Sequence, residues 1–356
     1  MNLKFNCKII FSDGEEFFGK SLCYKTNIFS EIVFNTSNLG YEEIITDPSY
    51  SNQSLVLTTP HVGNTGVNFY DSESERIWLS CLITRNIFKS VSNNFRFVKR
   101  IFYFLKKNKI ILLSDFDTRS ITKKITKGYN YVCILHNKIY NVNKKIFIFS
   151  NILEKIPYIK YSSTKISYLF CNFNLNFYHR KNFLFLKKVI VIDFGLKISI
   201  LKNLVKEKIL PLIVNYKVLN IINLNFFDGI VLSNGPGNPK IYKKIIKYIK
   251  KIKKPILAIC FGHQIYSLSK NFNIKKLIFG HHGSNHPVNF KKKCFISSQN
   301  HNYFCKTKKT KIFSLLDGTN QGFSNKRVIS FQGHPEASPG PNDFLFLFKN
   351  FFKILK

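Results

Sequence analysis

Cys260 follows the apolar run Pro255-Ile256-Leu257-Ala258-Ile259 and opens the segment Cys260-Phe261-Gly262-His263-Gln264. An uninterrupted apolar run that gives way to a helical pattern through Tyr266, Leu268 and Ser269 reads as a buried strand turning sharply into a helix. A thiol on such a turn is exposed at the positive end of the helix, which favours the thiolate, and backbone N–H groups nearby can stabilise an oxyanion. Gly262 permits the tight geometry. A second apolar stretch, Val328-Ile329-Ser330-Phe331, leads into Gln332-Gly333-His334-Pro335-Glu336, a histidine with a carboxylate two residues beyond it. A thiol nucleophile needs a base to take its proton and return it to a leaving amine, and the base is best held by a third group. Cys260, His334 and Glu336 fill the roles of nucleophile, base and orienting carboxylate.

These residues need a scaffold that brings strand ends together. Residues 189–192, 229–232 and 256–259 are short apolar runs, as buried parallel strands require. Ile241, Ile245, Ile246, Ile249 and Ile252 recur among lysines at helical spacing between two of those runs. Strand, helix, strand implies a right-handed crossover and an open α/β sheet, whose sites lie beyond the carboxyl ends of the strands. Residues 1–141 carry specific polar and glycine positions and read as an independent domain. Residues 142–188, a mixture of Lys, Asn, Ile, Phe and Tyr without glycine, read as a linker, and residues 189–356 as the domain with the open sheet. A length of 356 residues fits more than one core.

Lys and Arg number 55 against 19 Asp and Glu, a formal net charge of +36. Alone this would point to nucleic acid or an anionic membrane. The lysines are spread through every segment among Asn, Ile and Phe, however, whereas a binding face concentrates charge on one module, so no nucleic-acid partner is expected. Eight cysteines show no CxxC pair and no regular spacing, which argues against a zinc ribbon or a disulfide framework and fits a reducing compartment. No stretch approaches the ~20 apolar residues of a membrane span, and the first residues lack a secretory pattern. A soluble, cytoplasmic protein without membrane contact is the expectation.

Residues 255–264 and 332–336 resemble the nucleophile and His-x-Glu blocks of the class I (triad) glutamine amidotransferases. The run Ser330-Phe331-Gln332-Gly333-His334-Pro335-Glu336-Ala337-Ser338-Pro339-Gly340-Pro341 is similar to the carbamoyl-phosphate synthase small subunit in particular. So are residues 280–288 and Ser233-Asn234-Gly235-Pro236-Gly237-Asn238-Pro239. In the first domain Glu31-Ile32-Val33-Phe34-Asn35-Thr36-Ser37, Thr46-Asp47-Pro48-Ser49-Tyr50, Pro60-His61-Val62-Gly63-Asn64 and Asp117-Thr118-Arg119 resemble the amino-terminal domain of that family, which other amidotransferases of the class lack.

The resemblance implies an α/β protein, with an amino-terminal mixed β/α domain followed by an amidotransferase domain whose open, mostly parallel sheet is flanked by helices. It implies glutamine hydrolysis to glutamate and ammonia, the ammonia passing to a large subunit that makes carbamoyl phosphate from bicarbonate and ATP for arginine synthesis, pyrimidine synthesis or both. The partner is then that large subunit, in a heterodimer or higher oligomer. ATP and magnesium belong to the partner, and no metal or other cofactor is expected in this subunit, the histidines 281, 282 and 286 included. Glutamine contacts carried over by position are Ser49, Gly235, Gly237, Phe261, Gln264, Asn300, Asn302 and Tyr303. Phe261 stands where the family usually has leucine, but a backbone N–H is what the position supplies. Asn302 replaces the glycine of Asn-His-Gly-Phe and, if that glycine serves a positive φ, is expected in the left-handed region. Ile198 and Ser199 replace the basic and amide residues usual after Asp193-Phe194-Gly195-Leu196-Lys197.

Overall fold

The computed structural model describes residues 5–68, 70–90, 92, 94–136, 150–170, 187–307 and 310–355. The chain divides into two compact units, Met1–Tyr158 with Ile278–Gly283, and Ile159–Leu277 with Ser284–Lys356. The boundary falls within the stretch read as a linker. Of that stretch, 142–149 and 171–186 lie outside the described residues.

The first unit is built on a closed barrel of strands β1 (Cys7–Phe11), β2 (Glu16–Ser21), β3 (Ile28–Asn35), β4 (Gln53–Leu57), β5 (Cys81–Ile83), β6 (Ile111–Ser114) and β7 (Tyr131–Leu135), in the order β1-β2-β6-β5-β4-β3-β7. Strands β3 to β6 pair in parallel, which requires crossovers, and the other pairings are antiparallel. Helices α1 (Tyr41–Thr46), α2 (Ile101–Lys107) and α3 (Thr118–Thr126) lie in the connections. Side chains alternate along each strand, so the barrel supports two cores. Val33, Leu55, Leu57, Leu82 and Leu112 pack with Ile44 and Ile45 of α1 and Leu105 of α2. Ile32, Phe34, Val56, Ile83 and Leu113 pack with Ile121 and Ile125 of α3. Asp117 caps α3 by accepting a hydrogen bond from the Ser120 N–H at 3.1 Å.

The second unit holds a ten-stranded sheet. Its strands are β8 (Tyr168–Leu169), β9 (Lys187–Asp193), β10 (Ile209–Asn215), β11 (Gly229–Leu232), β12 (Ile256–Ile259), β13 (Asn273–Phe290), β14 (Lys293–Lys306), β15 (Ile312–Ser314), β16 (Asn320–Ser324) and β17 (Val328–Phe331). The order is β14-β13-β15-β16-β17-β12-β11-β9-β10-β8, with β10, β9, β11, β12 and β17 parallel. Around this parallel centre the sheet continues antiparallel on both sides. The antiparallel arm is more extensive than the apolar runs of the sequence imply. Residues 278–283 of β13 belong to the first unit.

Helices of this unit are α4 (Ile159–Ser162), α5 (Ile198–Lys206), α6 (Lys243–Lys251), α7 (Phe261–Ser269) and α8 (Phe346–Ile354). Val189, Val191, Val231, Leu257 and Ile259 share a core with Ile200 and Leu204 of α5 and Phe348 and Phe351 of α8. Ile190, Ile192, Ile230, Leu232, Ile256 and Ala258 share the other with Ile245 and Ile249 of α6 and Ile265 of α7. Both faces of the parallel strands are thus covered, which is why they read as continuous apolar runs. Among the described residues no helix is long and apolar enough to cross a membrane.

Candidate active site

Cys260 is the residue between β12 and α7, and its backbone adopts φ 50°, ψ −105°. Such a conformation is strained for a non-glycine residue and persists because both neighbours are fixed. The Cys260 N–H donates to the Phe331 carbonyl at 2.8 Å, tying the turn to the end of β17. One turn into the helix, the Gln264 N–H donates to the Cys260 carbonyl at 3.2 Å. The Gly262 N–H donates to the Ser233 carbonyl at 3.0 Å, and a Cβ on Gly262 would stand 2.3 Å from the Leu232 carbonyl oxygen, so helix and strand β11 touch backbone to backbone. Phe261 is the first helical residue, and its N–H has no acceptor within the helix. Its ring is buried between Phe194 and Tyr242, with centroids at 5.5 and 5.9 Å. The side chain is packing.

His334 lies just beyond β17, the parallel neighbour of β12, and its N–H donates to the Ser298 carbonyl at 2.9 Å. Its Nδ1 is 2.6 Å from Glu336 Oε1, with both side chains essentially buried. A ring held this way directs Nε2 away from the carboxylate, and Nε2 has no hydrogen-bond partner at ordinary distance among the described residues. Burial works against the imidazolium, but Glu336 and then Cys260 outweigh it and raise the His334 pKa above its usual 6.5. Burial alone would raise Glu336; His334 and Lys197 reverse that and hold it below the usual carboxylate value.

Lys197 is the residue whose part in this cluster the sequence did not disclose. Its Nζ lies 3.4 Å from Glu336 Oε1 and donates to the carbonyls of Ala337 and Ser338 at 2.7 and 2.8 Å. Ala337 and Ser338 have φ 60° and 55°, so the lysine clamps a left-handed turn as well as the carboxylate. Its position four residues beyond a buried Asp193 that caps the turn after β9 is the available signal: Asp193 Oδ1 accepts from the Gly195 and Leu196 N–H groups at 2.8 and 2.9 Å.

The remaining candidate positions fall into distinct groups. Gly235 and Gly237 lie in the loop after β11; a Cβ on Gly235 would meet the Phe194 carbonyl oxygen at 2.4 Å, and Gly237 has φ 91°. Gln264 is buried on α7 and donates from Nε2 to the Tyr303 carbonyl at 2.8 Å. Asn300 presents its backbone carbonyl to the Cys260 thiol, which donates to it at 3.5 Å. Tyr303 is buried on β14, and its carbonyl also meets His301 Nδ1 at 2.9 Å. Ser49 is in the first unit, buried on the turn Pro48–Tyr50, where its N–H donates to Asp47 Oδ1 at 2.9 Å. His282 is also in that unit, its ring 6.2 Å from that of Tyr50.

Asn302 requires a correction. It lies within β14 and is absent from the described residues with positive φ. The strand pairs with β13, and a residue in a ladder is held extended whatever its intrinsic taste for the left-handed region. An asparagine fits there because no positive φ is demanded.

Comparison with known proteins identifies the family of each half of the chain. Residues 9–134 match the family described as carbamoyl-phosphate synthase small chain, CPSase domain, and residues 190–354 match glutamine amidotransferase class-I. The carbamoyl phosphate synthase small chain of Wigglesworthia glossinidia brevipalpis is 41% identical over 373 residues, covering 98% of this chain and 96% of that protein. That of Buchnera aphidicola subsp. Acyrthosiphon pisum is 41% identical over 376 residues, covering 98% and 95%. The small chain of Gracilaria tenuistipitata var. liui is 38% identical, covering 98% and 93%.

Proposed function

This chain belongs to the family of carbamoyl-phosphate synthase small chains, the glutamine-hydrolysing subunits of that enzyme, and from that premise we propose that Cys260, His334 and Glu336 hydrolyse glutamine by covalent catalysis. The observation that carries the proposal is the buried His334–Glu336 contact of 2.6 Å beside a cysteine on a strained strand-to-helix turn. As the Cys260 sulfur attacks the side-chain carbonyl carbon of glutamine, its proton passes to His334 Nε2, and the carbonyl π electrons move to oxygen. The surroundings that raise the His334 pKa favour receipt of that proton. The Phe261 N–H, unpaired within the helix, is suited to the oxyanion, together with backbone of the Gly235–Gly237 loop. Collapse breaks the C–N bond, and His334 gives its proton to the departing ammonia. Water then attacks the γ-glutamyl thioester with His334 as base, the C–S bond breaks, and glutamate leaves with the thiol restored.

The words small chain in the relatives' name support a large chain as partner, and the proposal extends to delivery of the ammonia to that chain for carbamoyl phosphate formation from bicarbonate and ATP, toward arginine, pyrimidine or both. In this proposal the partner is the chain that uses ATP and magnesium. Substituting Cys260→Ser in the complex with the large chain should lower glutamine-dependent synthesis by at least about a thousandfold while synthesis from ammonium salts continues. A Cys260→Ser complex that keeps its glutamine-dependent rate would overturn the assignment.

A further inference from the structure

A row of amides leads from the end of β14 to the nucleophile. Gln264 Nε2 donates to the Tyr303 carbonyl at 2.8 Å and to Gln332 Oε1 at 3.4 Å; Gln332 Nε2 in turn lies 4.0 Å from the Cys260 sulfur. Gln332 is fully buried immediately after β17, with its backbone N–H on the Gln321 carbonyl at 2.8 Å.

The direction of this row follows from counting donors and acceptors. The Tyr303 carbonyl can only accept, so the nitrogen of Gln264 must face it. The same nitrogen has its second hydrogen toward Gln332, whose oxygen must therefore face Gln264. Rotating the Gln332 amide by half a turn would oppose two N–H donors in a dry interior, at the cost of leaving both unsatisfied. Gln332 is left with one orientation, in which its N–H points at sulfur. On the other side the sulfur faces the Asn300 carbonyl, to which the neutral thiol donates. That carbonyl suits an S–H and opposes a sulfur that has lost its proton; the amide N–H of Gln332 does the reverse.

We propose that Gln332 is a further catalytic residue, donating its N–H to the Cys260 sulfur whenever that atom carries negative charge. This rests on the reading of Cys260 as the nucleophile. The charge develops twice in the cycle: as the S–H proton moves to His334 before the C–S bond forms, and as the C–S bond breaks and the electron pair returns to sulfur. A hydrogen bond to a charged acceptor is roughly twice as strong as to a neutral one, so the contact favours both events over the resting thiol. It also joins the nucleophile to Gln264, the position from which the substrate is expected to be held.

The test follows alkylation of the Cys260 peptide by iodoacetamide, read by mass spectrometry, alongside kcat and KM for glutamine hydrolysis. Gln332→Met keeps length and bulk but has no N–H; Gln332→Glu keeps an acceptor toward Gln264 and removes the amide donor toward sulfur. In both variants alkylation of Cys260 and kcat should fall about tenfold, with KM moving less than about threefold and far-UV circular dichroism unchanged. A folded variant of either kind whose alkylation rate and kcat stay within about twofold of the parent reduces Gln332 to packing and ends the proposal. Should Gln332→Met not fold, Gln332→Glu decides alone. Alkylation needs no glutamine, so its outcome stands apart from the Cys260→Ser experiment, which tests the nucleophile itself.

Discussion

Gly262→Ala puts the backbone contact behind the nucleophile to a quantitative test. The added Cβ would stand 2.3 Å from the Leu232 carbonyl oxygen, below the 3.0 Å that real Cβ contacts respect, and Leu232 C and Cβ would lie at 2.7 and 2.6 Å. Strand β11 is the centre of a parallel sheet and cannot retreat, so the start of α7 must move outward by about 0.7 Å or more, taking the Cys260 turn with it. A misplacement near 1 Å costs on the order of 100-fold in a reaction that depends on alignment, and overpacking adds about 1–3 kcal/mol of destabilisation. Glutaminase kcat should therefore fall roughly 30- to 100-fold in a protein that still folds. Gly318→Ala is the control: nothing lies within 4 Å of its added Cβ, and kcat should be unchanged despite the positive φ. A folded Gly262→Ala enzyme whose kcat stays within about threefold of the parent would refute the claim that this contact places the nucleophile.

Two further predictions concern the charges around Glu336. Lys197→Met removes an ion-pair partner and the donor to the Ala337 and Ser338 carbonyls, and should cost about 3 kcal/mol, lowering Tm by roughly 6–12 °C; calorimetry showing no fall would mean that the clamp carries no stability. His334 has a raised folded pKa, so its stabilising charge is fully present below 6.5 and is lost as pH rises through the folded value, whereas the lowered Glu336 contributes above 4.5 and loses its share as pH falls through its folded value. The Tm advantage of the parent over His334→Gln should accordingly be largest between those two ordinary values and shrink on the alkaline side; an advantage flat from pH 5 to about pH 10 would contradict the pairing.

The parts legible in the sequence are those whose cause is local. The turn at Cys260 announces itself because a buried strand, a small residue and a helix follow one another within a few positions, and the parallel centre announces itself because burial on both faces removes polar alternation. Lys197 was legible as part of a strand end but not as a clamp, since Ala337 and Ser338 lie 140 and 141 residues further on. The antiparallel arm was obscured for a different reason. In β14 buried and half-buried positions alternate from Gln299 to Cys305, but the buried ones include the polar Gln299 and His301, so the sequence shows no apolar alternation to read. Asn302 shows how a single-residue preference misleads when a ladder sets the backbone. The amide row through Gln332 was hidden because direction in a hydrogen-bond chain is decided by its far end, here the Tyr303 carbonyl.

The pairing of β12 with β17 matches Ile256 to Val328 and Ile259 to Phe331. Nucleophile and base thus hang from adjacent strands, Cys260 one residue and His334 three residues beyond that last pair, and error in their spacing is stepped, not gradual. A slip of one residue would turn every side chain of β17 to the opposite face, and a slip of two would carry His334 along the strand by about 6.6 Å. Both states forfeit the core on each side of the sheet before they affect chemistry. Folding therefore acts as a proofreader: a molecule stable enough to persist has its histidine in register, and the segment between the two strands can change its surface without retuning the distance between them.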